Sequence, residues 1–178
     1  MNIKYNAVIL DNDNIDTDII IPKQFLKQTT KDGLGEYVFY EWRYNEDGTK
    51  NNHILNKDKF NVLITRDNFG CGSSREHASW ALKDYGFKLI IAQSFSDIFY
   101  RNWLNNHQLP IKLSKSNIND ILENNEIEIV LNLEDKIINI NGINYPFSLS
   151  NKMHKRLLYD IDEVDYTLQF IEKIKEFE

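Results

Sequence analysis

Apolar residues are arranged so that strands and helices alternate through the first two thirds of the chain. After a short apolar run at residues 7–10, three buried strands are predicted, the last of them edge-like, with amphipathic helices between them. The strand segments are residues 60–65, 87–92 and 109–113, and the helical segments are residues 74–85 and 95–106. Strand, helix and strand in this order imply parallel pairing with right-handed crossovers.

The last third of the chain has a different pattern. Residues 127–131 and 136–140 are predicted strands, and Asn141-Gly142 between apolar residues is typical of a tight hairpin, where both turn positions take positive φ. An amphipathic helix is predicted from about residue 162 to 177. The whole is predicted to be a mixed α/β domain, a single domain over residues 1–178, with an antiparallel hairpin annex and the last helix as an appendage.

Residues 27–59 have no sustained hydrophobic period, although they carry several aromatic side chains. A stretch this long inside a compact domain is usually a functional loop. A surface loop held down by its aromatic residues explains the pattern equally well.

Composition and charge exclude several classes of function. The net charge is −6 with no basic stripe, which argues against nucleic acid as the main partner. The single cysteine, Cys71, cannot form an internal disulfide, nor can one thiolate hold an iron–sulfur cluster. No apolar run is long enough to span a membrane and the start lacks a signal core, so a soluble cytoplasmic protein is expected.

The segment from residue 68 to 77 carries the candidate chemistry. It follows a predicted buried strand and opens a predicted helix, where a sheet edge and a helix N-terminus favour anion binding. Gly70 and Gly72 allow close approach of the backbone, and Ser73, Ser74 and Arg75 supply hydroxyls and a guanidinium fork suited to a carboxylate. A capping box between Ser73 and Glu76 is the competing structural interpretation, but it does not require Ser74 or Arg75.

Other motifs fit poorly. A dinucleotide fingerprint needs glycine where Arg75 stands, and the aspartates at residues 11, 13 and 16 lack the glycine and distal glutamate of a calcium loop. Cys71 beside His77 could act as a nucleophile, although a lone cysteine in a glycine turn is more often a small packing residue. The remaining histidines, His53, His107 and His154, do not have metal-ligand spacing.

Several separated blocks resemble the small subunits of bacterial 3-isopropylmalate dehydratase, a family related to the swivelling domain of aconitase. The blocks, in order, are residues 16–26, 41–44, 68–78, 80–82, 84–87, 94–99 and 167–169. The resemblance covers nearly the whole chain and implies a swivelling β/β/α domain, with a mixed sheet, a parallel strand–helix–strand core, and a C-terminal hairpin plus helix.

The resemblance also implies an activity. Such subunits pair as heterodimers with a large subunit whose cysteines hold an iron–sulfur cluster, and together they isomerise 2-isopropylmalate to 3-isopropylmalate in leucine biosynthesis, as a hydro-lyase. By analogy with aconitase, Ser73 would be the catalytic base, while Ser74 and Arg75 would bind a substrate carboxylate beside the backbone of Gly70 and Gly72. Lys31 stands where many members carry an arginine, and it can meet a carboxylate only as a point charge.

Two alternatives remain. A related hydro-lyase could act on another malate-like diacid, because sequence alone does not size the pocket. A binding module could keep the fold without catalysis, although such a module would not need Ser73, Ser74 and Arg75 together.

The C-terminal turn departs from the family pattern: residues 159–162 stand where an Asn-Gly-Leu-Asp turn is usual.

Overall fold

A computed structural model describes residues 5–27, 30–124 and 126–160 of the chain. The strands are β1 (Ala7–Leu10), β2 (Val62–Thr65), β3 (Leu89–Ala92), β4 (Leu109–Lys112), β5 (Ile129–Asn132), β6 (Ile137–Ile140) and β7 (Ile143–Pro146). The helices are α1 (Thr17–Ile20), α2 (Tyr40–Arg43), α3 (Ile54–Lys57), α4 (Glu76–Tyr85), α5 (Asp97–Asn105), α6 (Lys115–Leu122) and α7 (Asn151–Tyr159), with short 3-10 turns at Lys23–Phe25 and Leu34–Tyr37.

The strands form two sheets. Strands β1 to β4 pair side by side in chain order and all run parallel, as the alternation of strands and helices predicts. Strands β5 to β7 form a separate antiparallel sheet. The hairpin between β6 and β7 turns at Asn141 and Gly142, whose φ values of 51° and 84° match the predicted tight turn.

The parallel sheet lies between two layers, because its strands are apolar on both faces. On one face, Leu63 and Ile90 belong to a core with the apolar sides of α4 and α5. On the other, Ile64 and Ile91 pack with α6 and the antiparallel sheet. The order of layers is therefore β/β/α, which confirms the predicted fold class; the antiparallel strands form a layer of their own and do not extend the parallel sheet.

Aromatic contacts pin the segment between residues 30 and 59. Phe25 stacks on Tyr37 with ring centroids 4.1 Å apart, and Tyr40 stacks on Tyr44 at 4.3 Å. The buried Arg43 donates to the carbonyl of Val38 at 2.8 Å and to Asn56 Oδ1 at 3.0 Å. These contacts explain how a stretch without hydrophobic period still folds against the domain.

Helices α6 and α7 were not predicted, and a turn that departs from the family follows α7. Asp160 ends α7 with φ 50°, a left-handed conformation that glycine adopts more easily. The predicted helix over residues 162–177 lies outside the described residues. Within the described ranges, no helix combines the length and apolarity that a membrane span requires.

Candidate active site in the turn between β2 and α4

The turn that follows β2 depends on its two glycines. Gly70 and Gly72 have φ values of 74° and 91°, which side-chain-bearing residues rarely adopt. A Cβ on Gly70 would lie 2.2 Å from Cγ of Phe99, so α5 packs directly on the backbone of the turn. The glycines are thus needed for the turn itself, as the sequence predicts.

Hydrogen bonds to its backbone hold the turn from both sides. The amide of Gly70 donates to the carbonyl of Ile15 at 2.8 Å, and the hydroxyl of Ser96 donates to the Gly70 carbonyl at 2.8 Å. Thr17 adds two bonds: its amide donates to the Cys71 carbonyl at 2.9 Å, and its hydroxyl to the Ser73 carbonyl at 3.0 Å. The turn is therefore fixed between α1 and the start of α5.

A cavity of about 390 Å³ opens at this turn. Its lining consists of Thr17, Gly70, Gly72, Ser73, Ser74, Arg75, Ser96, Asp97, Ile98, Phe99 and Arg101. Ser73 and Ser74 are exposed, and Arg75 is half-buried. Five of the six predicted site residues therefore lie around one cavity, at the N-terminal end of α4.

Arg75 has a fixed partner in α1. Its Nη1 lies 2.5 Å from Oδ1 of Asp18, and Lys23 Nζ lies 3.6 Å from Oδ2 of the same carboxylate. Desolvation raises the pKa of Asp18, but the hydrogen bond and charge of Arg75, together with Lys23, lower it by more, so the pKa lies below its ordinary value. The lowered pKa favours the charged form of the Asp18 carboxylate, which is the form that pairs with the Arg75 guanidinium.

The capping-box interpretation of Ser73 and Glu76 is wrong. Helix α4 begins at Glu76, two residues later than predicted, and its N-cap is Arg75, whose side chain makes no capping hydrogen bond. Glu76 instead accepts from Nε1 of Trp80 at 3.1 Å and from Nδ2 of Asn106 at 3.4 Å. Ser73 lies outside the helix, so capping does not account for its presence.

Cys71 is a structural residue of the turn. Its backbone forms a bridge with Asp16. Burial, then the charge of Asp16, raise the pKa of the Cys71 thiol, which disfavours the thiolate that a nucleophile needs. These observations agree with its interpretation as a packing residue.

The three histidines outside the turn have structural contacts. Nδ1 of His53 caps α3, His107 lies 3.2 Å from a carboxylate oxygen of Asp160, and His154 lies 2.7 Å from the carbonyl oxygen of Leu133. Within residues 5–27, 30–124 and 126–160, no three His, Cys, Asp or Glu side chains are placed to hold a metal ion. The described residues thus do not fit an iron–sulfur cluster.

Lys31 lies apart from the other predicted site residues. Its Nζ is 4.9 Å from the centroid of the Trp80 ring, and it lines a different cavity together with Asp84 and Asn106. The structure therefore does not bring Lys31 to the cavity that Ser73 lines.

Sequence reasoning missed several residues of the cavity, and Asp18 beside it. Thr17 and Asp18 are far from the turn along the chain, and no local pattern links them to it. Asp97 and Arg101 lie one turn apart at the start of α5, where their spacing resembles an ordinary exposed helix face. Only the parallel order of the strands, which brings the segments after β2 and β3 to one sheet edge, offered a signal.

The β/β/α layers and this turn define an aconitase-type swivelling domain. A family model described as "Aconitase C-terminal domain" matches residues 3–116. The 3-isopropylmalate dehydratase small subunit of Buchnera aphidicola subsp. Pemphigus spyrothecae is 46% identical over 98% of this chain and 93% of its own length. That of Shouchella clausii is 47% identical over 98% of this chain and 92% of its own length.

A solved structure has the same fold. The crystal structure of 3-isopropylmalate dehydratase from Methanocaldococcus jannaschii superposes with a TM-score of 0.71 at 28% identity, over 100% of both chains. The chain therefore belongs to the family of 3-isopropylmalate dehydratase small subunits.

Proposed function

We propose that this chain is the small subunit of a cytoplasmic hydro-lyase that converts 2-isopropylmalate to 3-isopropylmalate in leucine biosynthesis. The observation that carries the proposal is the grouping of Ser73, Ser74 and Arg75 around one cavity at the start of α4. Two hydroxyls and a guanidinium at a helix N-terminus suit a carboxylate substrate. The relatives' names supply the identity of the reaction.

Ser73 is the proposed base that removes a proton from the carbon next to the hydroxyl-bearing carbon. A serine hydroxyl is a poor base in water, so the alkoxide must be stabilised by nearby positive dipoles and charge in a dry site. The start of α4 and Arg75 supply the positive environment. Ser73 is exposed in the single chain, so exclusion of water would come from a second protein that covers the cavity.

Ser74 and Arg75 are the proposed carboxylate-binding residues. Asp18 occupies one nitrogen of Arg75, at 2.5 Å, and an arginine fork has further N–H donors for the two oxygens of a carboxylate. The backbone at Gly70 and Gly72 can come close to the substrate, because neither residue has a side chain there. Lys31 is the least supported member of the proposed set, since it lies on Trp80 in a separate cavity.

The covering protein is proposed to be the large subunit, in a heterodimer with this chain. The iron–sulfur cluster is expected on that subunit, where it would act as a Lewis acid on the substrate. This division of labour agrees with the single cysteine of the present chain. The small subunit then contributes proton transfer and carboxylate binding.

The test is reconstitution of the Ser73→Ala variant with the large subunit, with turnover followed by the absorbance of the alkene diacid intermediate. We expect a loss of kcat of about 10²-fold or more, because a positioned base is removed. Ser116→Ala is the matched control, since Ser116 lies on α6 away from the cavity. Near wild-type turnover by Ser73→Ala would exclude the proposed role of Ser73.

A panel of 2-hydroxy diacids assayed on the same complex tests the substrate. A clear preference for 2-isopropylmalate supports the proposal, and a preference for another malate-like diacid identifies a related hydro-lyase. If the chain binds a large subunit without any turnover of the panel, the proposal fails and a non-catalytic module is the better description.

A further inference from the structure

Helix α1 lies next to the proposed active site without contributing to the chemistry assigned above. Two of its side chains contact the turn at separate points. Thr17, 2% exposed, donates its hydroxyl to the carbonyl of Ser73 at 3.0 Å. Asp18, the next residue, contacts Nη1 of Arg75 at 2.5 Å. One short helix thus holds both the proposed base and the proposed carboxylate ligand.

We infer that Thr17 and Asp18 are positioning residues, with Thr17 setting the place of Ser73 and Asp18 setting the orientation of Arg75. This inference rests on the proposed function, and it assigns a separate task to each of two adjacent residues. Neither residue needs to touch the reacting atoms for this role.

The geometry of α1 supports the assignment. The Asp16 carboxylate caps α1 by accepting from the amide of Ile19 at 2.8 Å, and the Thr17 amide donates to the Cys71 carbonyl at 2.9 Å. Helix α1 is therefore attached to the turn through its backbone as well as through its side chains. Such attachment lets α1 act as a rigid support for the groups that it holds.

The environment of Arg75 explains why it needs such a support. A free arginine side chain has many rotamers. Affinity for the substrate is higher when the guanidinium is already oriented before the substrate binds, because less side-chain entropy is lost on binding. The side chain of Arg75 is only 13% exposed, while that of Asp18 is 44% exposed. Asp18 therefore reaches in from the surface and fixes one edge of the fork, so that other N–H groups remain for a carboxylate.

The support of Ser73 is of a different kind. The Thr17 hydroxyl binds the backbone of Ser73, so its loss would let the hydroxyl of Ser73 shift relative to the substrate. A displacement of about 1 Å can cost about 10²-fold in rate. The carboxylate grip would persist, because Arg75 is held by a different residue.

Substitutions of the two residues should therefore change different kinetic parameters of the assembled two-subunit enzyme, KM for Asp18 and kcat for Thr17. Asp18→Asn keeps the size of the side chain and removes its charge, and we expect KM for the diacid to rise about tenfold with little change in kcat. Thr17→Val keeps the shape and removes the hydroxyl, and we expect kcat to fall about 10- to 100-fold with little change in KM. Asp18→Glu and Thr17→Ser should each restore part of the lost parameter.

Two further measurements separate positioning from general damage. Thermal unfolding of the full chain identifies variants that merely fail to fold, with Asp120→Asn on α6 as a matched surface control. Arginine side-chain NMR of the full chain should show that restricted rotation of the Arg75 guanidinium is lost in Asp18→Asn and retained in Asp120→Asn.

The split between KM and kcat, together with the altered Arg75 signal, is the expected result. The inference would be overturned if KM and kcat were unchanged in both variants. It would also be overturned if activity fell only in proportion to the fraction of protein that is folded or assembled. Ser73→Ala measured in parallel keeps the two proposals apart. If that variant is inactive while Thr17→Val and Asp18→Asn behave as wild type, the proposed function stands and the positioning roles fail.

Discussion

Gly70 and Phe99 are packed so closely that a Cβ on the glycine would lie 2.2 Å from Cγ of the ring. Phe99 is a fully buried residue of α5 within the core that covers one face of the parallel sheet. The candidate active-site turn is therefore anchored at Gly70 against the hydrophobic core, so packing as well as hydrogen bonds sets its position.

Replacement of Gly70 by alanine should destabilise the protein strongly. The positive φ and the overlap with Phe99 each carry a cost, and together we expect a loss of about 2–4 kcal/mol in the free energy of unfolding. Gly142→Ala is the matched control, because Gly142 also has a positive φ, 84°, but a Cβ there would meet nothing within 4 Å. Urea denaturation measures both variants, and equal losses would show that the contact with Phe99 costs nothing.

Arg75 and Lys31 should differ sharply in their effect on substrate binding. Arg75→Lys keeps the charge and removes the fork, so we expect kcat/KM of the assembled enzyme to fall about 10²-fold. Lys31→Gln should lower kcat/KM less than about threefold, since Lys31 lines a different cavity. Steady-state kinetics on 2-isopropylmalate compares them. A large effect of Lys31→Gln would mean that this lysine reaches the substrate in the complex.

His53 should make stability depend on pH near neutrality. Burial, and then the charge of Arg43, lower the pKa of His53 from its usual 6.5, and its Nδ1 must be unprotonated to accept from the amide of Leu55 at 3.3 Å. Below pH 6.5 the unfolded chain therefore takes up a proton more readily than the folded one. The free energy of unfolding should consequently fall as the pH drops below that value and level off once the folded pKa is passed.

The comparison variant for this prediction is His53→Asn, which can still cap α3 but does not titrate. Urea denaturation from about pH 8 to about pH 5 measures the free energy of unfolding of both proteins. As the pH falls, the wild type should lose stability relative to His53→Asn, by no more than one titrating histidine can contribute. A difference that stays constant over this range would contradict the role of His53.

Arg43 should be a main source of stability for the aromatic segment. Its guanidinium donates to backbone carbonyls and to Asn56, and it lies 5.2 Å from the centroid of the Tyr85 ring. Arg43→Met leaves those buried acceptors without a donor, which should cost about 3 kcal/mol. Lys57→Met, an exposed position on α3, is the control for adding the same apolar side chain. The urea midpoint should drop for the first variant only.

The elements that local sequence determines were predictable. The strands β2 and β3 lie within short apolar runs, and β4 lies within the segment predicted as an edge-like strand. The hairpin turn follows from an Asn-Gly pair that tolerates positive φ at both positions. The turn between β2 and α4 was also evident, because its glycines and hydroxyls stand at a strand–helix junction.

The missed helices show a different limitation. Ser114 and Ser150 cap α6 and α7 by accepting from the amides of Asn117 and Met153. Both serines could have been predicted as helix N-caps, since serine before an amphipathic segment is a common helix start. Asparagine-rich composition in α6, where Ile118 and Ile121 are the buried residues, obscured the short apolar stripe.

The internal geometry of the site was beyond sequence reasoning for a physical reason. Asp18 and Arg75 are 57 positions apart, and their contact exists only because β1 and β2 are neighbours in the parallel sheet. The same is true of Thr17 and Ser73. No periodicity or local motif encodes which residues of two distant loops come within hydrogen-bond distance.

Every residue that lines the cavity of Ser73 lies between Thr17 and Arg101, whereas the antiparallel sheet only covers the far face of the parallel sheet. The chemistry and the covering layer are therefore carried by consecutive parts of the chain, with β4 as the seam. A chimera that exchanges the part after Leu113 between relatives would leave the candidate site unaltered and would require a matching apolar face on the antiparallel sheet. For the described residues after Leu113, divergence in sequence is then compatible with an unchanged candidate site as long as this apolar fit is kept.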